Sequence, residues 1–279
     1  MRLNASARIT SAVGLVIVLG MVVMSLFAES LAPYDPTVGS LGDRLIPPFW
    51  QQGGSSAHLL GTDVLGRDTL SRLIHGARTS LTVAVIAILV AGSIGSLLGI
   101  AAGYLGGWVD VLIMRAADLA FSFPTILLAM VLAVVFGASF LNIVLVISLV
   151  LWAEYARMAR GESLKIKEMD YVALAQVAGC SKVSIMLRHI LPNVASSLIV
   201  LATLQVGVVI ILESSLSFLG VGLPPPTPAW GSMVAEGRSY VVSAWWLSLV
   251  PGVAILVTVL SFNLLGDTLT ELINPERQS

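Results

Sequence analysis

The sequence predicts an all-α integral membrane protein with six transmembrane helices and both termini in the cytoplasm. Three observations carry this. Of 279 residues, 57% are apolar and only 11% are charged, against about 25% charged in an ordinary soluble domain. Mean hydropathy is +0.94. The apolar residues also fall in long charge-free runs, and a bilayer core needs roughly 20 such residues per helix because backbone groups in lipid must be satisfied within the helix itself.

The first run, Ile9 to Ala28, follows Arg2 and Arg8. It outlasts a signal-peptide core of about 7–15 residues and leads to Glu29 and Pro33 without a clear small-residue cleavage site, so it reads as a retained span at 9–28. Thr79 to Val109 gives the second span, 80–102. Leu119 to Ala153 would be about 52 Å long as one helix at 1.5 Å per residue; Gly137-Ala138-Ser139 with Asn142 divides it into spans at 115–136 and 140–157. His189 to Leu212 supplies the fifth, 194–213, and Ser239 to Gly266 the sixth, 245–266, with Trp245 and Trp246 as interfacial anchors. A further charge-free run, Ser214 to Ala235, holds Gly220, Gly222, Pro224, Pro225, Pro226 and Pro228. Those prolines remove donors and clash with the preceding turn, so it reads as a loop.

Basic residues orient the spans. With the N-terminus inside, the inner side receives Arg2, Arg8, Arg115, Arg157, Arg160, Lys165, Lys167, Lys182, Arg188 and Arg277, and the outer side Arg44, Arg67, Arg72, Arg78 and Arg238. The chain then divides into a tail and first span (1–30), an extracytoplasmic loop (31–78), a core of five spans (79–276) containing a cytoplasmic segment (154–191), and a short tail (277–279).

Two connecting segments carry patterns of their own. In the outer loop, Asp68 to Arg78 sets Leu70, Leu73 and Ile74 on one helical face among charges, which predicts an interfacial helix. In the cytoplasmic segment, Asp170 can cap a helix from Tyr171 to Ala178, Gly179 supplies a left-handed stop, and Ser181 can cap a second helix that Pro192 ends. Val183, Met186, Leu187 and Ile190 would share one face of that second helix. The periodicity fits either a hairpin lying on the membrane surface or a docking site for a cytoplasmic protein.

Composition excludes several functions. A net charge of −1 leaves no basic surplus for nucleic acid. The lone Cys180 and the scattered His58, His75 and His189 offer no disulfide and no metal cluster. There is no phosphate loop, HExxH or GxSxG motif, so the chain is not expected to be an enzyme or to hold a cofactor, and any ATP must be handled by another subunit. Arg115 and Asp118 form an i, i+3 pair, while Glu154, Glu213 and Asp267 fall at span ends. Asn142, Gln205 and Asn263 are interior; Gln205 and Asn263, with Ser122 and Thr125, are the candidate pathway-lining residues. An ion- or proton-coupled transporter, which would bury ionisable groups mid-membrane, and a non-transporting scaffold are the rival classes.

Asp170-Tyr171-Val172-Ala173-Leu174-Ala175, Gly179 and Arg188-His189-Ile190-Leu191-Pro192-Asn193 resemble the EAA loop of ABC importer permeases, with Ala173 where the family has glutamate and Leu174 where it has its first alanine. His58-Leu59-Leu60-Gly61-Thr62-Asp63-Val64-Leu65-Gly66-Arg67-Asp68, Ala32-Pro33-Tyr34-Asp35-Pro36, the Glu213 to Gly220 block, Pro225 to Gly231 and Phe262 to Asp267 are similar to blocks of dipeptide, oligopeptide and nickel importer permeases, in family order and of the C-type. The resemblance implies a type I ABC importer permease of a bacterial or archaeal plasma membrane. It further implies a second homologous permease forming a heterodimer, two ATPase subunits holding ATP and Mg2+, and an extracytoplasmic substrate-binding protein. On this reading Asp170 to Ala175 with Gly179, Cys180 and Ser181 couple to the ATPase. Gly61, Asp63, Gly66, Arg67 and Asp68 either shape their loop or touch the binding protein, and Glu213 with Ser214 belongs either to a capped helix end or to an outer gate. The Pro47 to Gly54 stretch looks most like the dipeptide branch, with a nickel complex or a glutathione-like peptide as alternative cargo.

Overall fold

A computed structural model describes the backbone of residues 5–273 and the side chains of residues 11–271. Arg2, Arg277 and the 277–279 tail lie outside those limits, as does the side chain of Arg8. The described residues fold as helices with no strand: α1 (Ala5–Leu26), α2 (Ala28–Leu31), α3 (Thr69–Leu105), α4 (Gly107–Phe121), α5 (Thr125–Phe136), α6 (Phe140–Lys167), α7 (Asp170–Val177), α8 (Lys182–Ile185), α9 (Leu191–Phe218), α10 (Trp230–Gly237) and α11 (Trp246–Ile273). α3, α6, the run Lys182–Phe218 and Trp246–Glu271 are each long and apolar enough to cross a membrane, and α4 with α5 makes a fifth if the bent pair counts as one. Length and composition thus reach four or five spans; the described part of α1, Ser11–Leu26, is shorter.

The core is α3 laid along α6. Lipid gives helices no hydrophobic reason to associate, so close packing at small residues does the work. Gly95, Gly99 and Gly103 form that strip on α3: a Cβ at Gly95 would stand 2.8 Å from Tyr155 Cβ, at Gly99 2.8 Å from Ala159 Cβ, and at Gly103 2.7 Å from Ser163 Cβ. The pairs rise together in number, so α3 and α6 run parallel, and α4 with α5 must carry the chain back between them. α9 runs the other way: Val194 packs beside Ile100 and Glu213 meets Ser80. α11 returns again, with Gly266 against Leu204 and Gly207 against Val259. α1 lies antiparallel to α11, where the Ser11 and Thr268 hydroxyls are 2.7 Å apart, so the start of α1 and the end of α11 share one side.

Several expectations are corrected. The third span is not straight: α4 and α5 meet at 93° across Ser122-Phe123-Pro124, because Pro124 forces extended geometry on its neighbourhood (its own ψ is 122°) and cannot donate into the turn. The expected interfacial helix is the first turns of α3, continuous with the span; Asp68 and Arg72 are buried while Arg78 stays exposed. Asp170 is the first residue of α7 rather than its cap; Met169 holds that position without a side-chain bond. Pro192 does not end the second helix of the hairpin. A π-helical turn at Met186–Ile190 intervenes, the Leu191 amide donating to the Met186 carbonyl, and this wider register lets a residue with no N–H enter α9. That register also turns the face: Ile185 and Ile190 are buried while Val183 and Leu187 are exposed. Trp246 is no surface anchor but is 2% exposed, its indole N–H donating to the Thr62 carbonyl at 3.2 Å.

Other expectations hold. Gly137-Ala138-Ser139 separates α5 from α6, where Ser139 accepts from the Asn142 amide, Ser181 caps α8 by accepting from the Ser184 amide, and Gly179 has φ +80°. The proline run breaks the helix as foreseen: the chain leaves α9 at Phe218 and re-enters helix only at Trp230. Trp230 is fully buried, with its ring over Gly76, where a Cβ would come within 2.6 Å, and its Nε1 donating to the Leu73 carbonyl at 2.9 Å. Trp230→Phe is expected to cost about 1–2 kcal/mol, the value of one buried bond, read as a lower thermal midpoint of the purified complex; an unchanged midpoint would remove α10 from the list of structural fasteners.

Candidate functional site

The loop from 32 to 68 closes on α3 and α10 through a buried cluster of charge. Gly66, at φ +73°, turns the chain so that Asp63 points back into its own loop. Asp63 Oδ1 accepts from the Leu65 and Arg67 amides at 2.8 and 2.9 Å, and its Oδ2 accepts from Arg67 Nε at 2.6 Å and from Arg72 Nη1. Glu236 of α10 completes the set. Its Oε2 takes Arg67 Nη2 at 3.1 Å and Arg72 Nη1 at 2.7 Å, and its Oε1 takes Arg72 Nη2 at 3.0 Å. Two guanidiniums face two carboxylates, so the cluster is neutral. Asp63, Arg67 and Arg72 are 2%, 6% and 3% exposed.

Asp68 sits beside the cluster as the cap of α3. It accepts from the Ser71 amide and hydroxyl, both at 2.7 Å, and lies 3.0 Å from His58 Nδ1. Gly61, at φ +77°, passes so close to the Ile46 carbonyl that a Cβ would stand 2.5 Å away. The five loop residues singled out by sequence are therefore together, with the charged ends of Asp63, Arg67 and Asp68 held by partners within the protein rather than offered to solvent. Outside this cluster, Glu29 at the end of α2 is held below the usual carboxylate range by its hydrogen bond to Arg78, 2.8 Å away.

Two more carboxylates lie inside helices rather than at span ends. Glu213 is fully buried, with Ser80 Oγ donating at 3.1 Å and Ser217 Oγ at 2.8 Å; it is neither a cap nor a helix end, and Ser214 beside it is 7% exposed. Glu154 of α6 accepts from Gln205 Nε2 of α9. The four pathway candidates are not brought together. Ser122 and Thr125 flank the bend, exposed, with Ser122 Oγ donating to the Asp118 carbonyl at 2.8 Å; Gln205 is 3% exposed between α9 and α6; Asn263 is exposed on α11. Asp118 has Arg115 at 3.8 Å but takes the closer Arg157 at 2.9 Å. Sequence reasoning missed Glu236, Ser80 and the Glu154 to Gln205 bond, all of which join residues more than fifty positions apart. No linear signal marks them.

At the opposite end α7, α8 and the π turn form the predicted hairpin. Val172 and Ala175 turn inward onto Ile100, Tyr104, Ile166, Ile185 and Ile190, and the rings of Tyr171 and His189 meet at 6.4 Å. The outward face is apolar: Leu174 is 68% and Val177 86% exposed, joined by Val183 and Leu187. Ala173, Gly179, Cys180 and Ser181 are exposed with them, as is Asp170. An exposed apolar patch of this kind marks a contact surface for a protein or a membrane.

The family model for the inner membrane component of binding-protein-dependent transport systems matches residues 95–279, and that for the N-terminal transmembrane domain of oligopeptide transport permease C matches residues 10–48. The chain belongs to this permease family. Among curated permeases, the probable D,D-dipeptide transport system permease of Escherichia coli is 42% identical over 268 residues, 96% of this chain and 87% of the relative. The dipeptide transport system permease of the same species is 44% identical over 264 residues, 95% and 88% of the two chains. The glutathione transport system permease of Pectobacterium atrosepticum is 41% identical over 268 residues, 96% and 87%. The larger matched region begins late in α3 and contains every later helix, and with them the hairpin of this permease, Glu213 and Glu236, while Asp63 and Asp68 lie between the two matched regions.

Proposed function

We propose that the chain is one permease of an ATP-driven ABC importer that moves dipeptides or short oligopeptides into the cytoplasm. It would work beside a second, related permease, with two ATPase subunits binding ATP and Mg2+ and a binding protein delivering substrate. The observation that carries this is the hairpin: an exposed apolar face on a firmly packed base, in a chain with no nucleotide-binding motif. The relatives' names supply the cargo class. The alternation of helix directions, with α1 beginning where α11 ends, supports six crossings of an inner membrane. The basic residues of the hairpin end support cytoplasmic termini.

In this reading ATP binding draws the ATPases together, and the face around Leu174, Val177 and Gly179 transmits the movement. The permease pair then switches between two access states biased by a ligand bound elsewhere. Asp170 to Ala175, Gly179, Cys180 and Ser181 are assigned to coupling. Gly61, Asp63, Gly66, Arg67 and Asp68 secure the outer loop, and Glu213 with Ser214 lies behind the outer gate.

Gly179→Arg is the discriminating change. Nothing lies within 4 Å of a Cβ there, so the fold bears only the left-handed backbone strain of about 1–2 kcal/mol, while the long side chain obstructs the docking face. Uptake of a labelled dipeptide into proteoliposomes holding all subunits, with ATP inside, is expected to need ATP and binding protein and to fall more than tenfold in the variant. Flux that runs without ATP and follows a proton gradient would falsify the importer reading.

A further inference from the structure

A second feature of the hairpin end is a polar pocket of about 440 Å³ lined by Tyr104, Leu105, Lys167, Gln176, Cys180, Lys182 and Ile185. It lies where α3 and α6 stop together and α7 folds back beneath them. Its polar groups are almost all donors. Neither Lys167 nor Lys182 has an ion-pair partner among the described residues, whereas neighbouring Lys165 is paired with Glu162 at 2.9 Å. Glu168 and Asp170 are exposed and form no ion pair with either lysine. Gln176 Nε2 donates to the Tyr104 hydroxyl at 3.5 Å, which leaves the tyrosine proton free to donate onward, and the Lys167 ammonium stands 5.8 Å from the Tyr104 ring centre.

Two unpaired ammoniums, a phenol proton and an amide make a receptor for a doubly coordinated oxyanion. The apolar part of the lining points to its source. Leu105 is 39% exposed and Trp108, just beyond it, 76%, at the level where two spans end. An apolar shoulder beside a basic pocket between span ends suits a lipid, whose headgroup and chains need both.

We propose that this pocket binds the phosphate headgroup of an anionic phospholipid from the adjoining leaflet, against the base of the hairpin. This rests on the reading of α3 and α6 as membrane spans and assumes nothing about cargo. A lipid so placed would touch both the span ends and Gln176 of α7, and so tie the hairpin's position to the membrane's anionic content.

The test uses the assembled transporter in nanodiscs of phosphatidylethanolamine with or without phosphatidylglycerol. Retained phosphatidylglycerol is counted by native mass spectrometry, and alkylation of Cys180, the one cysteine of this chain and part of the pocket lining, is compared at equal ATPase content because Cys180 also belongs to the coupling face. Wild-type complex is expected to retain phosphatidylglycerol and to slow Cys180 alkylation severalfold. Each of Lys167→Gln and Lys182→Gln should weaken retention about fivefold, and together roughly 25-fold, the factor expected for a lysine at an anionic surface. Lys165→Gln should change nothing, and Lys167→Arg with Lys182→Arg should keep most of the effect. If the double glutamine variant assembles poorly, the single variants carry the comparison.

Equal retention in wild type and variants overturns the proposal, as does retention that falls without any change at Cys180. Millimolar inorganic phosphate protecting Cys180 in lipid-neutral discs as well as phosphatidylglycerol does would assign the pocket to a soluble anion instead. Loss of the ATPase subunits from the variant, with lipid retained, would assign the lysines to a protein contact. Retention is read without transport, so its failure leaves the importer reading standing, and failed uptake with lipid retained does the reverse.

Discussion

Arg72→Ala is expected to destabilise the protein by about 3 kcal/mol, the lower end of what breaking a buried ion pair costs. Arg72 is 3% exposed and gives three bonds, one to Asp63 and two to Glu236. Its removal leaves Glu236 with Arg67 alone, at 3.1 Å, and leaves the cluster with a net negative charge away from water. The value sits at the low end because the Glu236 side chain is 31% exposed and can recover some hydration. The measurement is the thermal midpoint of the purified complex together with protease sensitivity of the 31–68 loop. Adding Glu236→Gln should restore part of the loss by returning the cluster to neutrality, a coupling that a double-mutant cycle isolates. A fully additive pair would mean that the cluster is held by shape and not by charge.

Gly99→Val is expected to be at least as damaging. Even a single Cβ there would meet both the Ala156 carbonyl and Ala159 Cβ, and backbone on the far side cannot swing away as a side chain would. Overpacking usually costs about 1–3 kcal/mol; here α3 and α6 must separate along their length, so the outcome is loss of assembled complex in place of a shifted midpoint. Size-exclusion yield decides it. Gly161→Val is the matched control, because nothing lies within 4 Å of its Cβ, and equal yields for the two would show that the glycine strip does not set the helix spacing.

What was legible in the sequence divides along a physical line. Charge-free length located the cores of α3, α6, α9 and α11, since crossing lipid is a local requirement that each segment meets by itself. Cap and stop chemistry found Gly179 and Ser181 for the same reason. The bend at Ser122-Phe123-Pro124 was passed over because hydropathy averages across it, although Pro124 was the available signal. The π turn left no signal at all: its effect was to let Pro192 sit where a sequence rule says helix ends. Buried charge was the largest gap. Asp63 and Arg67 read as residues that shape their loop or touch a binding protein and Arg72 as part of an interfacial helix, because their partner Glu236 lies more than 160 positions away, and Glu154 and Glu213 read as span ends because helices run on past the apolar windows that found them.

The π turn also has a mechanical side. By admitting Pro192 without a break, it makes Lys182–Phe218 one uninterrupted rod of 37 residues, about 55 Å long at 1.5 Å per residue. Tilting it as a rigid body by 5° about its middle would move each tip by roughly 2 Å, including the end that carries Glu213 and the Ser214 backbone that closes on Gly231. If the hairpin is pushed, this helix is the one element among the described residues that joins it directly to Glu213, and a glycine pair inserted near Ile190 is expected to act as a clutch.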